Sequence, residues 1–192
     1  MRTIRTSRFG AVALATAMTV TGCGVFRASD ASDDGKATAS AGVADLGAVV
    51  ATRDVQISKG GLFPVRVELY QLRRRDGFVT VNVKLTRTDA GGTDSWQVGD
   101  TFQGDTISLT FAGVTMVDRK NRKRHLVARV DPSAAPDGRD ARYLASSGLS
   151  SVFVKPGQSI WLYATFGAPP ADVSAVDVVV PRVPVFENVP LG

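Results

Sequence analysis

The segment Phe78–Thr86 alternates apolar and polar residues with a period of two along its whole length. In an extended chain, one face carries Val79, Val81, Val83 and Leu85, and the opposite face carries Thr80, Asn82, Lys84 and Thr86. This division is typical of a strand in an antiparallel sheet that buries one side and exposes the other. The pattern therefore predicts an all-β domain whose sheets pack apolar face against apolar face.

Shorter runs of the same kind recur along the chain, separated by turns rich in glycine and proline. They lie at 63–70, 107–111, 126–130, 152–154, 160–166 and 176–180. No stretch of ten or more residues combines an apolar period of about 3.6 with capping residues, so helices are not expected. About seven or eight short strands within 52–192 predict an antiparallel β-sandwich or barrel, with a long irregular connection at 131–149.

The predicted core consists of the residues on the apolar face of each run: Val79, Val81, Val83, Leu85, Leu109, Phe111, Phe153, Leu162, Ala164, Phe166, Val178 and Val180. Leu126, Ala128 and Val130 form a further alternating set. Trp161 and Tyr163 have the opposite parity from Leu162. Ordinary sheet packing explains them, and an aromatic binding patch is the alternative.

The N-terminus has the three zones of a secretory leader. Arg2, Arg5 and Arg8 form a positive region, and residues 9–20 form an apolar region too short to span a bilayer. The following Val20-Thr21-Gly22-Cys23 resembles the bacterial lipobox. This resemblance implies cleavage after residue 22, a diacylglycerol on the Cys23 thiol and a membrane-anchored protein on the extracytoplasmic face. Cys23 is the only cysteine, so no disulfide is expected.

Residues 23–51 are rich in Ser, Asp, Ala and Gly up to Gly42, with little apolar periodicity. Such a composition predicts a flexible tether, with a short helix over 43–50 as the alternative. The leader holds three arginines and no acid, so its removal lowers the formal charge of +5 by three. A weakly positive domain does not predict nucleic-acid binding.

The second half of the domain also resembles a known family. The segments Val114–Leu126, Val154–Ser159 and Leu162–Phe166 are similar to the immunoglobulin-like extracellular domains of the DUF4352 type, which occur in lipoproteins of Gram-positive bacteria. The segments 167–173 and 180–191 resemble actinobacterial lipoproteins, some of which continue into an OmpA-like wall-binding domain. The resemblance implies an immunoglobulin-like β-sandwich. We expect no wall-binding function to carry over, because no such domain follows within this sequence.

Catalytic constellations are not found in the sequence. His125 is the only histidine, so neither a zinc site nor a Cys–His pair can be assembled, and no serine lies in a nucleophile turn. We expect no enzymatic activity, no cofactor and no metal. The acidic residues Asp89, Asp94, Asp100 and Asp105 lie beside glycines, and a calcium loop is a less favoured interpretation of them than ordinary turns.

Two basic segments are the candidate binding residues. They contain Arg73, Arg74, Arg75, Arg119, Lys120, Arg122, Lys123 and Arg124, with Arg129 nearby. If both turns emerge at one end of the sandwich, they form a patch for anionic lipid or an anionic envelope polymer. The alternative is a pair of solvated turns that aid solubility. The proline-containing segment 181–192 predicts an extended strand that packs on its own domain, or adds to a partner's sheet.

The sequence thus predicts a lipid-anchored, non-catalytic binding or accessory module at the cell envelope, with an envelope protein or an anionic polymer as partner. The second hypothesis is a carrier or sensor of a small ligand, which would show a deep pocket lined by Trp96, Phe102, Trp161 or Tyr163.

Overall fold

The computed structural model describes residues 46–104, 109–130 and 143–192, and these form an all-β domain. The leader, Cys23, most of the predicted tether and Asp105 lie outside the described residues. The strands are β1 (Val49–Ser58), β2 (Leu62–Tyr70), β3 (Arg74–Arg75), β4 (Phe78–Arg87), β5 (Trp96–Gln97), β6 (Thr115–Asp118), β7 (Lys123–Leu126), β8 (Phe153–Val154), β9 (Ser159–Gly167), β10 (Ala175–Val179) and β11 (Phe186–Pro190).

The strands form two main antiparallel sheets that pack as a sandwich. The first has the order β1-β2-β4-β9, with β3 beside the start of β4, and the second has the order β11-β10-β6-β7. The short strands β5 and β8 pair with each other. The eight strands of four or more residues agree with the predicted number, and the fold class is confirmed. Within the described residues, the only helical element is one 3-10 turn, Leu149–Ser151, and no helix is long and apolar enough to cross a membrane.

Strand β4 organises the first sheet because it pairs along both edges. Leu85 lies opposite Val67 of β2 and Ile160 of β9. The inward residues of all three strands are buried, as the alternation predicts, whereas Asn82 and Lys84 lie on the outward face. We call this outward surface of β1, β2, β4 and β9 the outer face.

The two sheets are joined at their sides by short bridges. Leu72 pairs in parallel with Leu191, and Val127 pairs with Phe166. Ala145 pairs with Ala164, so the end of the long predicted loop extends the first sheet beyond β9. These links curl the sandwich toward a barrel and shorten its open edges, which limits unwanted pairing with other chains.

The predicted core residues are buried except for two. Leu109 is 38% exposed and Phe153 is 55% exposed. Residues 107 and 108 lie outside the described part, and the chain from Leu109 to Gly113 is a bend rather than the predicted strand. In β8 the inward position belongs to Val154, opposite Trp96, so Phe153 points outward.

The parity predicted for 126–130 is also wrong. Leu126 is 66% exposed, whereas Val127 is 4% exposed and bridges to Phe166. The chain passes there from the edge of the second sheet toward the first, and this change of partner reverses which residues face inward.

Both ends of the domain are strands that pair with their own fold. At the N-terminal end β1 begins at Val49, so Val49 and Val50 are in a strand rather than in a helix. At the other end β11 pairs with β10, and Phe186 and Leu191 are buried. The C-terminal segment therefore packs on its own domain, as predicted.

Candidate binding surfaces

Arg74 lies between the C-terminal strand and the turn that precedes β10. Its guanidinium donates hydrogen bonds to the carbonyl oxygens of Leu191 (3.2 Å), Pro170 (3.0 Å) and Val173. Because these bonds fix the turn 170–173, Arg74 has a structural role and is not part of an accessible patch.

The second basic segment is the tip of the β6–β7 hairpin. Asp118 is fully buried and accepts hydrogen bonds from the backbone amide (3.0 Å) and side-chain amide (2.7 Å) of Asn121. Burial of Asp118 opposes its ionisation, but the hydrogen bonds from Asn121 and from the backbone outweigh that effect and lower its pKa. Arg122 completes the turn with a left-handed φ of 53°. The hairpin tip is therefore a defined structure.

Two cations of this tip are neutralised by neighbouring acids. Arg119 forms ion pairs with Asp177 and with Glu187 (3.2 Å). Lys120 Nζ lies 2.6 Å from Asp172 Oδ2 and also donates to the Asp172 carbonyl oxygen. Asp172 belongs to the turn 170–173, whose Pro170 and Val173 carbonyl oxygens accept hydrogen bonds from Arg74. The two basic segments thus lie at one end of the sandwich, joined through the turn 170–173.

Besides the exposed but paired Arg119 and Lys120, five of the eight predicted cations have exposed side chains at this end, which we call the basic end: Arg73, Arg75, Arg122, Lys123 and Arg124. Arg73 donates a hydrogen bond to Gln71 (3.1 Å), and Arg75 lies 3.8 Å from Asp76 with 92% of its side chain exposed. In the described ranges the other three make no ion pair. The basic end therefore carries cationic groups that are accessible to an anionic surface.

The chain also enters the domain at the basic end. The backbone N–H of Gln71 donates a hydrogen bond to the Ala48 carbonyl oxygen (2.9 Å). A Cβ atom added to Gly47 would lie 3.1 Å from the Arg73 guanidinium. The described chain therefore begins beside Arg73.

The aspartates considered as calcium ligands hold cations of the protein instead. Asp89 and Asp94 converge on the buried Arg87, and Asp100 forms an ion pair with Lys59. Hydrogen bonds from Arg87 lower the pKa of Asp89, and a hydrogen bond from Lys59 lowers that of Asp100. No three potential metal-ligating side chains are grouped in the part of the chain that the structure describes.

The four aromatic residues of the predicted ligand pocket are separated by the fold. Trp96 and Phe102 are fully buried, with ring centroids 6.0 Å apart, and fill the core rather than line a cavity. Trp161 and Tyr163 lie on the outer face, on the other side of the first sheet. A shallow depression of about 280 Å³ lies elsewhere on that face, beside Gln56 and Pro64. In the described part of the chain, Trp96 and Phe102 therefore do not share a surface with Trp161 and Tyr163.

The outer face contains an aromatic group that includes one residue the sequence analysis missed. Tyr70 of β2 contacts Trp161 of β9, with ring centroids 4.9 Å apart and planes inclined by 51°. The two rings meet across β4, which separates their strands. The sequence could have indicated the outward position of Tyr70, because Tyr70 follows the buried Leu69 in an alternating strand.

Comparisons of the chain with protein-family models, with curated proteins and with solved structures find no match.

Proposed function

We propose that this protein is a lipid-anchored, non-catalytic binding module of the cell envelope, and that its basic end rests on an anionic phospholipid surface. One observation carries the proposal: the exposed cations and the point where the chain enters the domain share one end. When a short tether holds a domain at a membrane, the end of the domain that carries the tether faces the membrane.

The length of the tether supports this orientation. Cys23 is followed by only 22 residues before Leu46. A flexible chain of that length reaches about 25 Å, which is comparable to the size of a small domain. Acylation of Cys23 would therefore keep the basic end close to the lipid headgroups. Each cation within a Debye length of about 8–10 Å of an anionic surface adds roughly 1 kcal/mol of attraction.

A non-catalytic role agrees with the environment of the only histidine. His125 lies in β7 opposite Met116, and its Nε2 is buried without a hydrogen-bond partner. A general base needs a reachable proton on its substrate and a residue that orients the ring. Within the described residues, no hydrogen-bond partner orients the His125 ring.

The proposal is tested by binding residues 24–192 to lipid vesicles that contain about a third of anionic phosphatidylglycerol. Every buried core residue named above lies between Ile57 and Leu191, so this fragment retains the whole core. We expect saturable binding that is lost at about 1 M salt, where the Debye length falls to about 3 Å. The double charge reversal Arg122→Glu with Lys123→Glu should weaken binding at least about 30-fold, from two lost attractions of about 1 kcal/mol each.

The matched control is the double reversal Lys155→Glu with Arg182→Glu. Both residues lie toward the opposite end, where Arg182 donates to the Ser58 carbonyl oxygen (3.2 Å). The control changes the net charge equally and should alter binding less than about threefold. If both variants lost vesicle affinity equally, the effect would depend on net charge alone, and the assignment of docking to the basic end would be refuted. Binding to an anionic polymer but not to vesicles would refute the lipid surface and assign the basic end to the polymer.

A further inference from the structure

The aromatic group on the outer face is not required by the core. Tyr70, Trp161 and Tyr163 alternate along their strands with inward-facing Leu69, Leu162 and Ala164, which are buried. Tyr163 is 39% exposed, and Trp161 is half-buried against Tyr70. Large aromatic side chains gathered on a solvent-facing sheet surface are typical of a recognition site rather than of simple packing.

The charges around this group are neutralised in pairs. Lys84 Nζ lies 3.4 Å from Glu68 Oε2 and 5.9 Å from the centre of the Trp161 ring. Farther along the face, Arg66 Nε lies 3.0 Å from Asp54 Oδ1. The outer face is therefore locally neutral, in contrast to the basic end, and it is complementary to an uncharged ligand.

Hydrogen-bonding groups adjoin the rings. Asn82 lies directly opposite Tyr163 in the β4–β9 pairing, and its side chain has no hydrogen-bond partner in the described part of the chain. A carboxamide can donate two hydrogen bonds and accept two. In the next row, the hydroxyl groups of Thr80 and Thr165 are 3.0 Å apart. The site thus combines ring faces with unused donors and acceptors at their edge.

Two classes of macromolecule fit this chemistry poorly. Single-stranded nucleic acid needs unpaired cations along its backbone as well as aromatic rings, and here the cations are paired. A stable protein interface buries about 800 Å² per partner around an apolar centre, whereas polar pairs surround these rings closely. A sugar ring fits better, because its C–H groups stack on an aromatic face while its hydroxyl groups reach polar side chains.

We infer that the face formed by Tyr70, Trp161 and Tyr163, with Asn82 beside them, binds an uncharged glycan by stacking pyranose rings on the aromatic side chains. Trp161 and Tyr163 belong to β9 and to neither basic segment, and we assign membrane contact to the basic end and polysaccharide contact to the outer face. The inference does not depend on lipid docking.

The test is a calorimetric titration of the purified full-length chain in a zwitterionic detergent. The probes are cellohexaose, maltohexaose and chitohexaose, with polygalacturonate as the anionic probe. We expect at least one neutral hexasaccharide to bind with a Kd of about a millimolar or below, unchanged by high salt. Trp161→Ala and, independently, Tyr163→Ala should each weaken binding at least about tenfold.

The matched control is Phe153→Ala, which removes an exposed aromatic ring from β8 and not from the outer face. It should leave the affinity unchanged within about twofold. Circular dichroism of each variant confirms that the fold is retained. Failure of all three neutral glycans to bind, an equal loss in the Phe153 variant, or binding only of polygalacturonate in low salt would each overturn the inference.

Discussion

Arg87 connects three separate parts of the chain from inside the domain. It occupies the inward end of β4, and its side chain is 1% exposed. Its five N–H groups have acceptors in the two carboxylate oxygens of Asp89 (2.8 and 2.5 Å), Asp94 Oδ1 (3.1 Å), and the carbonyl oxygens of Asp94 (2.7 Å) and Val154 (3.2 Å). The guanidinium also lies 4.8 Å from the centre of the Phe63 ring.

Replacement of Arg87 by Met preserves most of the volume and removes all of these bonds. The carbonyl oxygens of Asp94 and Val154 lose their donor, and an unpaired buried acceptor costs about 1–3 kcal/mol. Asp89 and Asp94 have 26% and 64% of their side chains exposed, so water can reach both carboxylates. We therefore expect Arg87→Met to lower the free energy of unfolding by about 3 kcal/mol, toward the lower limit for breaking a buried ion pair.

The assay is urea unfolding followed by tryptophan fluorescence, since Trp96 lies in the core. A loss of about 3 kcal/mol corresponds to a decrease in Tm of roughly 6–12 °C for a domain of this size. Arg66→Met is the control. Arg66 pairs with Asp54 at the exposed surface, so its removal should leave the unfolding midpoint unchanged.

The difference between wild type and Arg87→Met also depends on pH. Arg87 lowers the pKa of Asp89, so its contribution is complete above the ordinary aspartate pKa of 3.8 and is lost as the pH falls through the lowered value. The wild type should therefore lose more stability in acid than the variant does. A loss below about 1 kcal/mol at neutral pH, or a difference that grows in acid, would refute the assigned role.

Three further predictions address the hairpin, the core and the anchor. Arg122 has a left-handed φ of 53°, so Arg122→Gly should raise the free energy of unfolding by up to about 1 kcal/mol; a lower urea midpoint would contradict this. Phe102 is fully buried and Phe153 is 55% exposed, so Phe102→Ala should cost about 3–4 kcal/mol and Phe153→Ala less than about 0.5; equal costs by thermal unfolding would contradict the core assignment. Cys23→Ala should abolish incorporation of a fatty-acid label in cells, and persistent labelling would refute acylation at this residue.

The sequence predicted the inward and outward faces well in the long strands. In β4 and β9, side chains alternate between faces because of backbone geometry alone, so Val83 and Leu162 could be assigned to the core without knowledge of their partners. The same reasoning failed at Phe153 and Leu126. These residues lie in short strands, where a single change of partner decides which side chain faces inward.

The candidate surfaces were predictable only in part. The basic residues could be named from composition, but Arg74 and Lys120 are separated by a long stretch of chain, and neither could be related to the turn 170–173 beforehand. Asp89 lies two residues from Arg87, but their pairing was not predicted, because the alternation identified in the sequence ends at Thr86 and a charge is not expected in the core. The parity of Tyr70 assigned it to the outward face, but nothing local in the sequence indicated its contact with Trp161.

The sequence alone determined the all-β class of this protein, the inward faces of its long strands and the residue types available for binding. These properties follow from local backbone geometry and from the period of two in the side chains. Only the tertiary structure decided which cations are neutralised, which remain exposed beside the N-terminal strand, and which aromatic rings meet on the outer face. Those outcomes depend on contacts between residues distant in the chain, because strand order brings them together and local sequence does not encode that order.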